Sequence, residues 1–333
     1  MSQFPWGNAY FFCTFVAIMM RFVCKVFSNV CFSILWVVSL LPMRVLYFIS
    51  DVVLYVFVYY VLRYRRKVVR QNLVSAFPEK STKEIRQIEH DFFHWFCDYI
   101  VETFKLMTID KEEMSRRMVF KGTDVIDQLV AEGVSCGVML GHYCNWEWVS
   151  TLPLAVTSNA VCAELYHPIE NPDVNRIFLW LRQRFGSVCI PMEKALREIV
   201  RYKQEGRPLV IGYIADQKPL WRNIHLWIDF LNHNTPVFTG SERIIKHTKQ
   251  AFFYGDVHRV KRGYYECEFK LIERHSETIP DFKLTERYMQ ELETTIRRAP
   301  AFWLWSHHRW SRTKEEFDRR FYVKDGKVYE RGK

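Results

Sequence analysis

Hydrophobic positions are concentrated at the start of the chain, where residues 1–62 are almost continuously apolar. Within this segment, residues 26–41 and 45–62 form two distinct apolar stretches separated by Pro42. A helix that crosses a bilayer needs about 20 apolar residues, so each stretch is close to the required length. Proline can end one helix and begin the next. The pattern therefore predicts a membrane anchor of one or two helices over residues 1–62.

A basic cluster, RYRRKVVR, follows the apolar segment at residues 63–70. Lys and Arg beside an apolar segment mark the cytoplasmic side of a membrane, and they attract anionic headgroups by about 1 kcal/mol per residue. We therefore expect the rest of the chain on the cytoplasmic side. The alternative is that the apolar helices form the buried core of a soluble helical domain, since Arg44 and Asp51 interrupt them.

Residues 78–118 have the spacing of helices. Ser81 and Glu84 match the S-x-x-E capping box that marks a helix start. Apolar side chains then recur at helical intervals: Ile85, Ile88, Phe92, Trp95 and Phe96. This aromatic stripe suits either a groove for a lipid chain or ordinary core, and we favour core. Residues 63–118 are thus predicted to be a basic juxtamembrane and helical segment.

From residue 119 onwards, short apolar runs alternate with helix-like runs. Five runs are typical of strands: VSCGVMLGHY, VCAELY, SVCIPM, RPLVIGYIADQ and AFFYGDVHRV. Helical spacing appears at 174–185 and 193–204. The alternation predicts an α/β body over residues 119–333, with a central, largely parallel sheet flanked by helices. The run YYECEFKLIE alternates more strictly and is interpreted as an edge strand.

Composition agrees with an anchor joined to a water-soluble body. Of 333 residues, 49% are hydrophobic but 25% are charged, which is too polar for a polytopic membrane protein. The formal net charge of +10 favours anionic partners. No nucleic-acid-binding motif accompanies that charge, so no nucleic-acid partner is predicted. The nine cysteines lack C-x-x-C spacing and closely spaced His ligands, so we predict free thiols and no metal site.

The sequence GHYCNWE at residues 141–147 is the strongest candidate for chemistry. His142 would lie at a strand end, Asn145 is suited to begin the next helix, and Glu147 would fall in its first turn. A carboxylate there can point back at the imidazole, whose other nitrogen takes the proton from an attacking hydroxyl. The chain has no G-x-S-x-G motif, which argues against an acyl-enzyme intermediate. The alternative is a strand-end histidine that only satisfies hydrogen bonds.

Three further segments extend the candidate site. Two polar residues directly follow an apolar run, two arginines directly precede another, and the turn-rich loop at 230–244 leads into a helix whose N-terminus suits an anion. Arginine suits a phosphate or an oxyanion because its donors form a fork. Each segment is alternatively a solvated loop or surface. The residues concerned are Asp216, Gln217, Arg182, Arg184, Thr239 and Gly240.

Together with the apolar N-terminus, five segments resemble the bacterial lipid A late acyltransferases, the lauroyl/myristoyl transferase family within the lysophospholipid acyltransferase fold. They are YRRKVVRQNLVSAFPEKS (64–81), GHYCNWEW (141–148), ADQ (215–217), TPVFTG (235–240) and FWLWSHHRW (302–310). They occur in order over most of the chain. Within this resemblance, the H-x-x-x-x-[D/E] dyad of the family falls on His142 and Glu147.

The resemblance also implies roles for the other candidates. Arg184 is the first candidate for the arginine that is implied to contact phosphate or substrate, and Arg182 is the second. Asp216 and Gln217 match the family's strand-end Asp-Gln. The remaining implied substrate-binding residues are Asn145, Thr239, Gly240 and Arg309.

The implied function is transfer of a fatty-acyl group from an acyl thioester, with acyl carrier protein as the expected donor, to a hydroxyl of a phosphorylated glycolipid. The expected place is the cytoplasmic side of the bacterial inner membrane, with the acyl chain in an apolar groove. No cofactor is implied beyond the acyl thioester. Two alternatives are an acyltransferase for glycerol- or amino-acid-based lipids, and a non-catalytic protein that binds anionic lipid through its basic face.

Overall fold

A central sheet organises the part of the chain that the computed structural model describes, residue 30 and residues 32–331. The predicted α/β class is confirmed: seven strands form one mostly parallel sheet with helices packed around it. The strands of this sheet are β1 Met118–Lys121, β2 Cys136–Leu140, β3 Val161–Tyr166, β4 Val188–Pro191, β5 Leu209–Ile214, β8 Ala251–Lys261 and β9 Tyr264–Glu273. Two hairpins lie outside it, β6 Leu226–Phe230 with β7 His233–Val237 and β10 Phe321–Lys324 with β11 Lys327–Glu330.

The α-helices that the structure describes after residue 65 surround the sheet and connect its strands. They are Arg66–Ala76, Thr82–Lys105, Lys111–Arg117, Thr123–Ala131, Pro172–Gln183, Ala195–Gln204, Gly240–Thr248, Lys283–Arg298 and Lys314–Arg320. The helical runs predicted at 174–185 and 193–204 correspond to the Pro172–Gln183 and Ala195–Gln204 helices. Helix bounds differ from expectation by about two residues, which is ordinary for helix ends.

The strand order is β1-β9-β8-β2-β5-β3-β4. From β8 to β4 all neighbours run parallel, whereas β9 runs antiparallel to β8 and β1 runs parallel to β9. The prediction that β9 is an edge strand was wrong. Its alternating side chains Tyr265, Cys267 and Phe269 are buried, and the four-residue β1, which the sequence did not predict, covers its outer edge. A short edge strand protects a sheet from unwanted pairing.

The helical prediction for residues 78–118 is confirmed. Ser81 and Glu84 make the capping box at the start of the Thr82–Lys105 helix. Phe92 and Trp95 on its apolar stripe are fully buried. The stripe is therefore part of the core, as favoured, because a groove for a lipid chain would leave one side of these rings open.

The segment 230–244, interpreted as a loop, contains the turn and the second strand of a β-hairpin instead. Strands β6 and β7 pair antiparallel, and their turn residues Leu231 and Asn232 both have positive φ angles. Two-residue hairpin turns require such angles, which asparagine tolerates well. Because the first turn position is a leucine, the turn was not recognised from the sequence. The helix expected after the segment is confirmed as Gly240–Thr248.

One apolar helix among the described residues, Met43–Val61, is long and apolar enough to cross a membrane. It corresponds to the predicted stretch 45–62, and Pro42 directly precedes it. Of the predicted stretch 26–41, residues 26–29 and 31 lie outside the described residues, as does the chain before them. The Met43–Val61 helix packs along the Thr82–Lys105 helix, so it is in contact with the body of the protein over its length.

Candidate active site

His142 lies just beyond the C-terminal end of β2, as predicted from the sequence. Strand β5 is one of the two parallel neighbours of β2, with Leu140 opposite Ile214 at the ends of the two strands. The residues that follow the two strands therefore meet at one edge of the sheet, where sites in parallel sheets gather. Asp216 is brought to His142 in this way, although 74 positions separate them in the sequence.

Asp216 holds His142 through two contacts, one to the imidazole and one to the backbone. His142 Nδ1 lies 2.5 Å from Asp216 Oδ1, and the backbone N–H of His142 donates to Oδ2 at 2.8 Å. The indole N–H of Trp303 also donates to Oδ2, at 2.8 Å. Burial opposes ionisation of Asp216, but the charge and hydrogen bonds of His142 and the bond from Trp303 outweigh it and lower the pKa of Asp216 to about 2.

An ionised Asp216 accepts hydrogen bonds only, so in the neutral form of His142 the proton is on Nδ1 and the lone pair is on Nε2. The His142 side chain is 22% exposed, and the amide nitrogen of Gln217 lies 3.4 Å from Nε2. The arrangement is that of a general base whose tautomer and orientation are set by a buried carboxylate. Asp216 and Gln217, predicted to lie at a strand end, are therefore both beside the imidazole.

Glu147 makes a different set of contacts from the one expected. Its carboxylate oxygens accept hydrogen bonds from Arg182, from Nε at 2.8 Å and from Nη2 at 2.7 Å. Glu147 is 4% exposed and lies in the first turn of the Trp146–Leu154 helix, which is a 3₁₀-helix. Asn145 begins this helix as predicted and accepts a hydrogen bond from the N–H of Trp148. The carboxylate that the structure places on the imidazole is that of Asp216.

The turn from His142 to Asn145 is held by the C-terminal segment of the chain. The carbonyl of His142 accepts from the N–H of Leu304 at 3.1 Å, and the N–H of Cys144 donates to the carbonyl of Phe302 at 2.8 Å. Cys144 has a positive φ of 50°, which is uncommon outside glycine and is kept only where surrounding contacts impose it. The segment that resembles the family at 302–310 thus supports the turn that carries His142.

Glu102 is a site residue that sequence reasoning missed. Its carboxyl group is fully buried and accepts hydrogen bonds from Asn145 Nδ2 at 2.8 Å, Tyr265 at 2.8 Å and Tyr47 at 2.7 Å. Burial, reinforced by the charge of Asp98, raises the pKa of Glu102 to about 7. The available signal was an acidic residue on the apolar face of the Thr82–Lys105 helix. This carboxyl group links the Met43–Val61 helix to the turn that carries His142.

The raised pKa of Glu102 predicts a pH-dependent stability difference between the wild type and Glu102→Gln. Between about pH 4.5, its ordinary pKa, and pH 7, the unfolded chain releases a proton that the folded chain keeps. Rising pH therefore favours unfolding, so the wild-type free energy of unfolding should fall by roughly 3 kcal/mol relative to the variant. Denaturant titrations of both proteins in detergent at pH 4.5 and 7 measure this difference, and parallel pH dependences would contradict it.

Arg184 has a structural contact where substrate binding was expected. Its Nη1 donates to the carbonyls of Leu106 and Ile109, at 2.7 and 2.5 Å. These carbonyls follow the end of the Thr82–Lys105 helix, where backbone acceptors lack helical partners. Thr239 and Gly240 lie at the start of the Gly240–Thr248 helix, as predicted. They belong to a different element from the His142–Asp216 pair.

Arg309 is a buried cation. It is 1% exposed, and none of its three guanidinium nitrogens has a hydrogen-bond partner among the residues that the structure describes. Burial lowers the pKa of Arg309 to about 10, although the nearby charge of Asp216 counteracts part of this. Burial and the charge of Arg309 lower the pKa of His307 to about 4. An unpaired buried guanidinium beside the His142–Asp216 pair is suited to bind an anionic group or a developing oxyanion.

A narrow apolar cavity of about 50 Å³ lies between the sheet and the Trp146–Leu154 helix. Its walls include Leu140 of β2, Gly212 of β5 and the ring of Trp146. Trp146 also meets the imidazole of His142 edge to face, with 5.2 Å between ring centroids. The cavity is therefore a candidate for the expected acyl-chain groove, and it must widen to take a long chain.

Within residues 30 and 32–331, no group of three or more His, Cys, Asp or Glu side chains is arranged to hold a metal ion. The cysteines described there carry free thiols.

Comparison with known proteins places this site in a family and identifies two relatives. The family described as "Bacterial lipid A biosynthesis acyltransferase" matches residues 17–312. The lipid A biosynthesis acyltransferase of Haemophilus influenzae is 21% identical over 243 residues, which cover 72% of this chain and 74% of that protein. Lipid A biosynthesis acyltransferase 2 of Shigella flexneri is 23% identical over 135 residues, covering 40% of this chain and 42% of that protein. The family match includes His142, Asp216 and Arg309.

Proposed function

Because the chain belongs to the bacterial lipid A biosynthesis acyltransferase family, we propose that it transfers a fatty-acyl group from an acyl thioester to a hydroxyl of a lipid A precursor. The observation that carries the proposal is the His142–Asp216 pair at the C-terminal end of β2. A base of this kind activates a hydroxyl, and the hydroxyl of the lipid can attack the thioester directly. No acyl-enzyme intermediate is needed.

In the proposed reaction, His142 Nε2 removes the proton from the acceptor hydroxyl as its oxygen attacks the thioester carbonyl. Asp216 keeps the proton on Nδ1 and stabilises the imidazolium that forms, as a buried carboxylate does in hydrolytic triads. The tetrahedral intermediate then collapses and expels the thiolate, which takes the proton from Nε2. Base catalysis of this kind contributes about 10²- to 10⁴-fold to the rate.

Glu147 acts indirectly in this proposal. The dyad implied by the resemblance pairs Glu147 with His142, yet both of its carboxylate oxygens are bonded to Arg182. A buried carboxylate–guanidinium pair fixes the start of the Trp146–Leu154 helix and therefore the turn that carries His142. Glu147 is accordingly assigned as a positioning residue, and Asp216 as the residue that orients the base.

Arg309 is proposed to stabilise the oxyanion, or to bind a phosphate of the acceptor. Arg184 was the candidate from sequence, but its Nη1 is engaged by two backbone carbonyls. Arg182 is likewise engaged by Glu147. Arg309 is the guanidinium near Asp216 whose nitrogens have no hydrogen-bond partner within residues 30 and 32–331.

The variant Arg309→Gln is expected to lose about 10²- to 10³-fold in kcat, the usual effect of removing one oxyanion donor. Its stability should be unchanged or higher, because an uncompensated buried charge is removed. Steady-state kinetics and thermal unfolding of the same preparation measure both effects. The matched control Arg184→Gln should show the reverse, with lower stability and near-normal kcat. An Arg309→Gln protein with full activity would remove Arg309 from the mechanism.

The proposed donor is acyl carrier protein and the proposed acceptor is a phosphorylated glycolipid, at the cytoplasmic face of the inner membrane. The charge of +10 supports both, since each partner is anionic. Transfer of radiolabelled acyl chain from acyl carrier protein to a tetra-acylated lipid A precursor tests the proposal. Parallel reactions with acyl coenzyme A, a lysophospholipid and an amino-acid lipid test the alternative donor and acceptors. Label in a lysophospholipid alone would overturn the proposal that the acceptor is a lipid A precursor. No label in any product would overturn the proposal that the protein is an acyltransferase.

A further inference from the structure

The Met43–Val61 helix exposes a continuous apolar face. Eight large hydrophobic side chains on this face are between 40% and 64% exposed. They follow one another over the whole helix, whereas exposed hydrophobic residues on soluble proteins are usually scattered. The residues are Val45, Phe48, Val52, Val53, Val56, Phe57, Tyr60 and Val61.

The opposite face of the same helix is polar and is bonded to the body of the protein. Four side chains spaced along it reach the Thr82–Lys105 helix, which runs antiparallel beside it. The contacts are Tyr47 to Glu102 at 2.7 Å, Ser50 to Asp98 at 2.8 Å, Tyr55 to His90 at 2.6 Å and Tyr59 to Glu89 at 3.1 Å. The helix is therefore attached to the Thr82–Lys105 helix along its side, from Tyr47 near its start to Tyr59 near its end.

Charged groups reinforce this attachment at the middle of the helix. Arg262, from the turn between β8 and β9, donates to both carboxylate oxygens of Asp51 at 2.8 Å. The same guanidinium donates to Asp98, at 2.9 and 2.6 Å. These three charges would lie near the bilayer centre if the helix crossed a membrane. A charge at that depth is energetically costly, and the neighbouring helix would have to enter the bilayer as well.

We infer that the Met43–Val61 helix lies in the plane of an anionic membrane surface. Its apolar face enters the boundary between headgroups and acyl chains, and its polar face remains on the protein. Helices of this amphipathic kind bury their apolar face by about 5–10 Å. The inference concerns membrane geometry and does not depend on the acyl-transfer reaction.

Charge complementarity identifies the occupant of this surface as anionic lipid. Arg44 is exposed near the first turn of the helix, and Arg63 and Lys67 are exposed just beyond its end. Basic side chains at both ends of an in-plane helix can reach headgroups while the stems of the side chains cover apolar surface. A helix that crossed the bilayer would place Arg44 and Arg63 at opposite membrane surfaces.

This orientation brings the candidate active site to the lipid surface. Arg65, two residues beyond Arg63, donates to the carbonyl of Ser306 at 2.9 Å. Asn72 of the following helix donates to the carbonyls of Trp305 and His307, at 2.8 and 2.9 Å. The segment that carries Arg309 is thus tied to the residues that follow the membrane helix. An acceptor lipid could therefore be reached at headgroup level without leaving the membrane.

Nitroxide depth measurements test the inference on the full chain. Single nitroxides are attached to Val45→Cys, Val53→Cys or Tyr60→Cys, with Cys13, Cys24, Cys31 and Cys189 replaced by Ser. The proteins are reconstituted into vesicles of phosphatidylethanolamine and phosphatidylglycerol. Accessibility to oxygen and to a nickel chelate then gives the depth of each label. Glu205→Cys, exposed before β5 at the other end of the sheet from Arg262, is the matched water-exposed reference.

We expect similar, shallow depths at all three helix positions and free access to nickel at position 205. Residues 45 and 60 are each seven or eight positions from residue 53, so a crossing helix would place position 53 roughly 10–12 Å deeper than both. That profile would overturn the inference, as would labels that are fully water-accessible at all three positions. Circular dichroism and unchanged thermal unfolding confirm that each labelled chain is folded before its depth is interpreted.

Discussion

His142→Ala is expected to lower kcat for acyl transfer by about 10²- to 10⁴-fold, because the acceptor hydroxyl loses the group that takes its proton. Asp216 sets the tautomer of this imidazole, because its carboxylate lies 2.5 Å from Nδ1. Substrate binding should change little, so most of the loss belongs in kcat rather than KM. Initial rates of transfer of a radiolabelled acyl chain to the lipid A precursor measure this loss of kcat.

A second variant separates chemistry from folding. His142→Ala leaves the buried Asp216 carboxylate without one of its side-chain partners, which can reduce stability. His142→Gln can still donate a hydrogen bond to Asp216 but cannot act as a base near neutral pH. Both variants should therefore lose kcat to a similar extent, and the glutamine variant should keep near-normal thermal stability. Full activity in a folded His142→Gln protein would exclude His142 as the base.

Asp216→Asn is expected to lower kcat by about 10³- to 10⁴-fold with the fold retained. The asparagine amide can donate to Nδ1, which favours the tautomer with the proton on Nε2 and removes the lone pair that acts as base. The corresponding change in a hydrolytic triad costs about 10⁴-fold for this reason. Circular dichroism and thermal unfolding of the variant, recorded beside its kcat, distinguish this effect from simple misfolding.

Glu147→Gln is the matched comparison for Asp216→Asn, because each variant replaces one buried carboxylate by its amide. Glu147 is bonded to Arg182, so its loss should mainly lower stability by leaving the guanidinium less well compensated. We therefore expect a smaller change in kcat than for Asp216→Asn. The opposite order, with Glu147→Gln inactive and Asp216→Asn active, would restore Glu147 as the residue that orients the imidazole.

The contrast between these two carboxylates shows where sequence reasoning was limited. Glu147 is five positions from His142, so local spacing made it the obvious partner. Asp216 is 74 positions away. It reaches the imidazole because β2 and β5 are neighbours in the sheet, and the order of strands depends on packing that no local pattern reports. The same reason applies to β9, whose outer neighbour is the distant strand β1.

Short-range patterns determined the elements themselves. The capping box at Ser81, the strand before His142 and the helix start at Asn145 depend on residues a few positions apart, so the sequence alone was sufficient for them. The α/β class followed from the alternation of short apolar runs with helix-like runs after residue 119. Only the tertiary structure decided which charged group meets which. It placed Arg182 on Glu147, Arg184 on backbone carbonyls and Arg309 in a buried position without a partner within the described residues, because burial and contact are set by the whole fold.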